Sequence, residues 1–173
     1  MGGLPEWSEG SGSRLMRRND REIRDFNEIL EIIRTCDVCR IAFNDEGFPY
    51  IVPLNFGAEV RGEQVYFYFH GAMKGKKLDL IAKDNRAAFE MDCDHRIVLD
   101  KEQRGCSCTM GYASVMGHGT IEIVPEEEKE DALRILMRQY HGEAFSFHKD
   151  VLKHTVVLKM TVLDMTGKRN RIS

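Results

Sequence analysis

A mainly β fold, an antiparallel barrel with peripheral helices, is what this 173-residue chain predicts. Three observations carry that expectation. Runs of alternating or β-branched residues follow one another with only turn residues between them, as hairpins require. Helical periodicity is confined to three segments, one at the front, one mid-chain and one late. The regular alternation of strand and helix needed by a parallel doubly wound sheet is missing. Six strands are expected, and the chain has no internal repeat.

Residues 1–15 are rich in Gly and Ser without periodicity, which predicts an unstructured leader ahead of a natural start at Met16 and one domain over 16–173. The spacing of Ile23, Phe26, Leu30 and Ile33 predicts a helix over 19–35, with Asn19 as cap and Glu22 three residues on. A strand over 38–43 and the turn Asn44-Asp45-Glu46-Gly47 lead into a second strand, 48–56. Pro49 and Pro53 lie in that strand and supply no ladder N–H, so it is an edge strand, bulged or interrupted. Alternation puts Ile51, Pro53 and Asn55 on one face and Val52, Leu54 and Phe56 on the other. In the next strand Val65, Phe67 and Phe69 belong in a core. Tyr66, Tyr68 and His70, opposite, suit a planar and partly polar ligand or another subunit. A short helix over 76–83, strands over 86–92 and 112–124, a helix from Pro125 to about Tyr140 and a last strand over 155–165 complete the expectation. Residues 93–110 read as irregular, and 141–153 as a loop or short helix.

Composition narrows the function classes. Net charge is −3, so no general basic surface advertises nucleic acid. No apolar run reaches membrane-spanning length, and no signal-peptide core is present. Five cysteines, an odd number without a secretion signal, favour reduced thiols in the cytoplasm.

The loop after His70 carries the sharpest local signal. Gly71-x-x-x-Gly75-Lys76-Lys77 fails as a P-loop, because the glycines are one residue too close and Lys77 stands where a metal-binding Ser or Thr is needed. Its physics still suits one phosphate: glycines let backbone N–H groups converge, a helix follows, and two lysines add charge. A solvated lysine cluster is the competing reading. His70 reads as a general acid, a hydrogen-bond donor to a ligand, or simply a strand-end histidine. Cys36-x-x-Cys39 and Cys106-x-Cys108 offer four thiolates for zinc, although the second spacing is tighter than a zinc knuckle and the first pair runs into a strand. His141, His148 and Glu143 have no metal-ligand spacing, and no metal site is expected.

Four blocks then fall into a familiar order: Met16-Arg17-Arg18-x-Asp20-Arg21, Pro49-Tyr50-Ile51-Val52-Pro53-Leu54-Asn55-Phe56, Phe69-His70-Gly71-Ala72 with Gly75-Lys76-Lys77, and Tyr112-x-Ser114-Val115-x-Gly117-x-Gly119. From Met16 to about Lys168 the chain resembles the nitroimidazole-resistance (Nim-like) flavoproteins of the pyridoxamine 5'-phosphate oxidase-related split-barrel group. The resemblance implies a six-stranded antiparallel split barrel, a homodimer, and FMN at the dimer interface. Pro53, Leu54, Asn55 and Phe56 would then line the isoalloxazine ring, His70 would lie beside it as the catalytic residue, and Lys76 and Lys77 would hold the phosphate. Tyr112, Ser114 and Val115 would approach from the other long strand or from the partner subunit. The implied activity is an FMN-dependent oxidoreductase reducing nitroaromatic or quinone-like small molecules. The alternative is a non-enzymatic flavin- or haem-binding protein, with His70 or His118 as a haem ligand. The end of the chain lacks the arginine- and tryptophan-containing segment of true pyridoxamine phosphate oxidases, so that substrate is not expected.

Overall fold

Strand joins strand through short turns along most of the chain. The computed structural model describes residues 18–99, 108–141, 147 and 149–171. A 3-10 turn at Asn19–Arg21 leads into β1 (Glu22–Ile23) and α1 (Phe26–Thr35), followed by β2 (Cys39–Phe43), β3 (Tyr50–Leu54), β4 (Phe56–Arg61) and β5 (Gln64–Ala72). Then come α2 (Lys76–Lys83), β6 (Arg86–Val98), β7 (Thr109–Ile123), α3 (Lys129–Tyr140), α4 (Lys149–Lys153) and β8 (Thr155–Asn170). The order across the sheet is β3-β2-β6-β7-β8-β5-β4, with β1 also on β8, and every pairing is antiparallel.

The two ends of that order, β3 and β4, are joined through Asn55 alone. The sheet therefore rolls until its edges meet at this residue, yet β3 and β4 share no ladder. That is a split barrel. It also explains the prolines: Pro53 pairs only with Arg40 of β2, and its other side faces the seam, where no ladder bond is lost.

A tyrosine closes the seam. The Tyr140 hydroxyl accepts from the Phe56 N–H at 2.8 Å and from Asn55 Nδ2 at 3.3 Å, and it donates to the Asp37 carbonyl at 2.8 Å. Tyr140→Phe leaves a part-buried N–H and carbonyl without this partner and should cost about 1–3 kcal/mol, read as a lower midpoint in urea.

Inside the barrel Phe56, Phe67 and Phe89 stack edge to face, with centroids 5.7 and 5.0 Å apart. Ile41, Met91, Ile121, Leu158 and Met160 fill the rest, and α1 adds Ile32 and Ile33. Helix α3 covers the outside of β4 and β5, and at Gly57 it lies so close that a Cβ would meet the Ile135 carbonyl oxygen at 2.6 Å. Tyr68 is buried beneath it with its hydroxyl on Glu59 at 2.8 Å, and Tyr66 packs against the same cluster. The polar-tipped face of β5 is thus mostly covered by the chain's own helix, and His70 and then Ala72 stay exposed at its end.

The first helix is shorter than its periodicity predicts. Asp25, not Asn19, caps it, accepting from the N–H groups of Asn27 and Glu28 at 2.8 and 3.1 Å. Residues 22 and 23 instead pair with Lys168 and Gly167 of β8, a tertiary contact that outbids local helix formation. β6 runs on to Val98 through a bulge, and β8 reaches Asn170. Among the described residues the expected six strands become eight, because β1 forms and the second run breaks at Asn55, after which β4 continues to Arg61. The expected leader and Cys106 lie outside the described residues, as do Glu143 and His148.

Candidate functional site

Register brings together part of what spacing suggested. Phe56 pairs with Phe69, so continuing the β4–β5 ladder by one residue sets Asn55 abreast of His70. His70 ends the exposed face of β5, and Gly71 follows it with Lys77 laid across its backbone. A Cβ at Gly71 would strike Lys77 Nζ and approach Cε to 3.1 Å, so a bare backbone is what lets the ammonium lie here. Asn55, His70, Gly71 and Lys77 therefore form one cluster at the seam.

The two lysines behave differently. Lys76 is engaged: its ammonium lies 2.6 Å from Asp45 and 5.1 Å from the centre of the Tyr50 ring. The hydrogen bond to Asp45 raises its pKa. Lys77 is half-buried and, among the described residues, has no carboxylate partner; burial lowers its pKa. Burial and the neighbouring Lys77 charge together lower the His70 pKa, so at neutral pH the ring is a neutral imidazole with one donor and one acceptor. Helix α2 begins at Gly75 without a side-chain cap, which leaves its first N–H groups free for an anion.

The remaining candidates separate by burial. Pro53 is exposed and Leu54 half-buried at the end of β3, beside the cluster. Phe56 and Val115 are fully buried in the core, and no ring stacking on their side chains is open to them. Ser114, 8% exposed, and Tyr112 lie on the outer face of β7. Partial burial would raise the Tyr112 pKa, but hydrogen bonds from Arg21 and Lys168 outweigh it and lower it. Around this tyrosine, Arg169 and Arg171 share Glu28 at 3.0 and 2.6 Å, beside clefts of about 300 and 400 Å³. Arg21 and the C-terminal arginines were not singled out by spacing; the Asp20-Arg21 block was their one sequence signal.

These two groups are remote from each other within one chain. His70 pairs with Val157 of β8, whereas Ser114 pairs with Lys168, eleven residues further along the same strand. At about 3.3 Å per residue that is roughly 36 Å of strand contour.

A broad apolar surface lies on the outside of the sheet. Ile51 and Met116, 58% and 50% exposed, flank a cleft of about 560 Å³ that also takes in Ala42, Ala88 and His118, and Leu163 adjoins it. Among the described residues, no group of three or more His, Cys, Asp or Glu is set to hold a metal ion, and no helix is long and apolar enough to cross a membrane.

Comparison with known proteins agrees with the split barrel. The sequence matches the pyridoxamine 5'-phosphate oxidase family over residues 25–169. The structure is similar to that of a candidate 5-nitroimidazole antibiotic resistance protein from Bacteroides thetaiotaomicron, at 33% identity over 86% of each chain and a TM-score of 0.73. It also resembles an FAD and heme binding protein from Mycobacterium smegmatis, at 18% identity over 88% of this chain and 74% of that one, with a TM-score of 0.74. The flavocytochrome Anf3 from Azotobacter vinelandii is similar at 16% identity, over 91% of this chain and 73% of that one, also at 0.74. At those two identities the likeness is one of fold. Comparison with curated proteins returned no match. With the family matched over most of its length and the seam, sheet order and barrel in agreement, the chain belongs to the pyridoxamine 5'-phosphate oxidase family of flavin-binding split barrels.

Proposed function

We propose that two copies of this chain hold FMN between them and reduce small electron acceptors of the nitroaromatic or quinone type in the cytoplasm. The observation that carries the reading is Lys77: a half-buried cation that, among the described residues, has no carboxylate partner, beside His70, a bare glycine backbone and a helix start with no side-chain cap among those residues. Keeping such a charge desolvated is unfavourable, and an incoming phosphate would relieve it. The residues present fit the group. Lys77 and the first N–H groups of α2 would hold the phosphate, while Pro53, Leu54 and Asn55 would border the ring with their exposed side and backbone groups. Phe56 would support that border from the core. Lys76 would contribute mainly by keeping the Asp45 carboxylate away from the cradle.

FMN, when bound, supplies the electron chemistry, and the protein's part is placement and electrostatics. His70 is neutral in the free protein because burial and Lys77 oppose its charge. An anion on Lys77 would cancel the second of these and raise the proton affinity of His70. The imidazole would then be ready to donate a hydrogen bond or proton to negative charge developing on a reduced acceptor. Tyr112 and Ser114 would complete the site from the second copy, since eleven residues of β8 separate them from His70 within one chain.

Fluorescence titration with FMN tests the reading. Lys77→Met should weaken binding by about 1.5–3 kcal/mol, a factor of roughly 10–100, whereas Lys76→Met should change it little. Equal effects of the two would overturn the assignment of Lys77. Release and chromatography of the native chromophore would distinguish FMN from FAD, and a haem spectrum would move the protein to the non-enzymatic alternative.

A further inference from the structure

We propose that Cys36 and Cys93 are a redox pair that closes reversibly to a disulfide, fastening the end of α1 to the bulge in β6. The spacing Cys36-x-x-Cys39 offered these two thiols as part of a zinc set. Topology offers Cys36 a different neighbour. The β2–β6 ladder pairs Ile41 with Phe89 and Arg40 with Glu90. Continued past that last pair, the register sets residue 93 abreast of residue 37, beside Cys36. Phe89 and Met91 point into the barrel, and Cys93 follows them on the same face by alternation and packs against the core cluster that contains Cys36. The two thiols are near enough to influence each other's acidity, with burial first and Cys93 next raising the Cys36 pKa. Cys39 is fully buried on the inner face of β2.

The pair is asymmetric in a way that orders the chemistry. Cys93 is half-buried at an irregular stretch of strand: the register shifts between Cys93 and Arg96, and Asp94 has φ of 59°. Cys36 is 3% exposed. An oxidant therefore meets Cys93 first; burial raises the Cys93 pKa, the neighbouring Cys36 thiol opposes that rise, and burial raises the pKa of Cys36 itself. With hydrogen peroxide, the Cys93 sulfur attacks one oxygen and the O–O bond breaks, giving a sulfenic acid and one water. The Cys36 sulfur then attacks the sulfenic sulfur. The S–S bond forms, the S–O bond breaks, and a second water leaves with the remaining protons. Two thiols have lost two electrons, and the peroxide has gained them. A thiol reductant reverses the step by exchange.

The location gives the bond a consequence. The Cys36 carbonyl accepts from Gln139 Nε2 at 3.0 Å, and the next residue's carbonyl accepts the Tyr140 hydroxyl that closes the seam at Asn55. Fixing Cys36 to β6 would hold the loop on which that closure rests.

The test uses the full chain, reduced and then treated with a small excess of hydrogen peroxide. The intact mass should fall by two hydrogens, and digestion without reductant should yield one peptide joining the segments around Cys36 and Cys93. Dithiothreitol should reverse both changes. The oxidised protein should melt about 5–10 °C higher, since the bridge restricts the unfolded chain. Cys39→Ser should leave the cross-link intact, and Cys93→Ser should abolish it. An unchanged mass, oxygen added to Cys93 without a cross-link, or a bridge using Cys39, Cys106 or Cys108 would each overturn the proposal.

Discussion

Met116→Glu is expected to turn the protein into a folded monomer that no longer retains FMN. Met116 is half-exposed on the outer face of β7, in the apolar cleft with Ile51, and Glu90 and Asp164 line the same cleft. In a lone chain the substitution touches only surface and should move stability by less than about 1 kcal/mol. In a two-fold interface each copy buries an added carboxylate in a cleft whose lining arginine, Arg40, is already paired with Glu90 and Asp92, and the symmetry applies the penalty twice. At roughly 3 kcal/mol or more per copy, about 6 kcal/mol per dimer, the dimer dissociation constant should rise on the order of ten-thousandfold or more. Because the Tyr112 end of β7 and the His70 end of β5 would meet only across that interface, cofactor retention should fall with it. Light scattering after gel filtration, with the flavin absorbance followed in the same run, reads both. A variant that stays dimeric and yellow would remove the outer face from consideration as the interface.

His70→Ala is expected to lower the rate of acceptor reduction by about a hundredfold, with FMN affinity changed only a few-fold. The imidazole is one side chain among several at the seam, so binding survives its loss while proton and hydrogen-bond donation do not. The pH dependence carries a sign that can be checked. The folded-state pKa of His70 lies below its ordinary value of 6.5, first through burial and then through Lys77. In the window between the folded value and the ordinary one, the unfolded chain holds a proton that the folded chain lacks. This group therefore makes stability rise with pH across that window and takes stability away as pH falls through it. His70→Gln should flatten that part of the profile. Lys77→Met should move the His70 titration upward by NMR, because it removes the second cause and leaves the first. Unchanged steady-state rates in His70→Ala with full FMN occupancy would end its catalytic assignment.

Much of this protein was legible before any coordinates. The alternation of Val65, Phe67 and Phe69 gave the inner face of β5, because a strand's side-chain period of two leaves no freedom once one face is apolar. Pro53 announced an edge, since a residue without an N–H cannot serve a ladder on both sides, whereas Pro49, expected in the same strand, lies just ahead of β3. The glycines and lysines after His70 marked a place where an anion would be comfortable, for reasons of backbone access and charge. The resemblance carried by the four blocks then named the family that the comparisons show.

What the sequence left open depends on contacts between distant segments. Nothing local distinguishes Lys76 from Lys77; among the described residues the return of the turn containing Asp45 gives Lys76 a carboxylate and Lys77 none. Tyr66 and Tyr68 read as an exposed aromatic face until α3 is laid over them at Gly57. Asn19 has the makings of a cap, yet β8 draws residues 22 and 23 into the sheet and hands the cap to Asp25. Cys36 and Cys39 are close along the chain, while the β2–β6 register, continued, brings Cys93 abreast of residue 37, next to Cys36. Periodicity and turn chemistry act within a few residues, so the sequence by itself determined most of the strand cores, the inner face of β5 and the family, while strand ends and β1 waited on pairing. Charge pairing, coverage and thiol partnership are set by which segments the closing barrel brings side by side, and those only the tertiary structure decided.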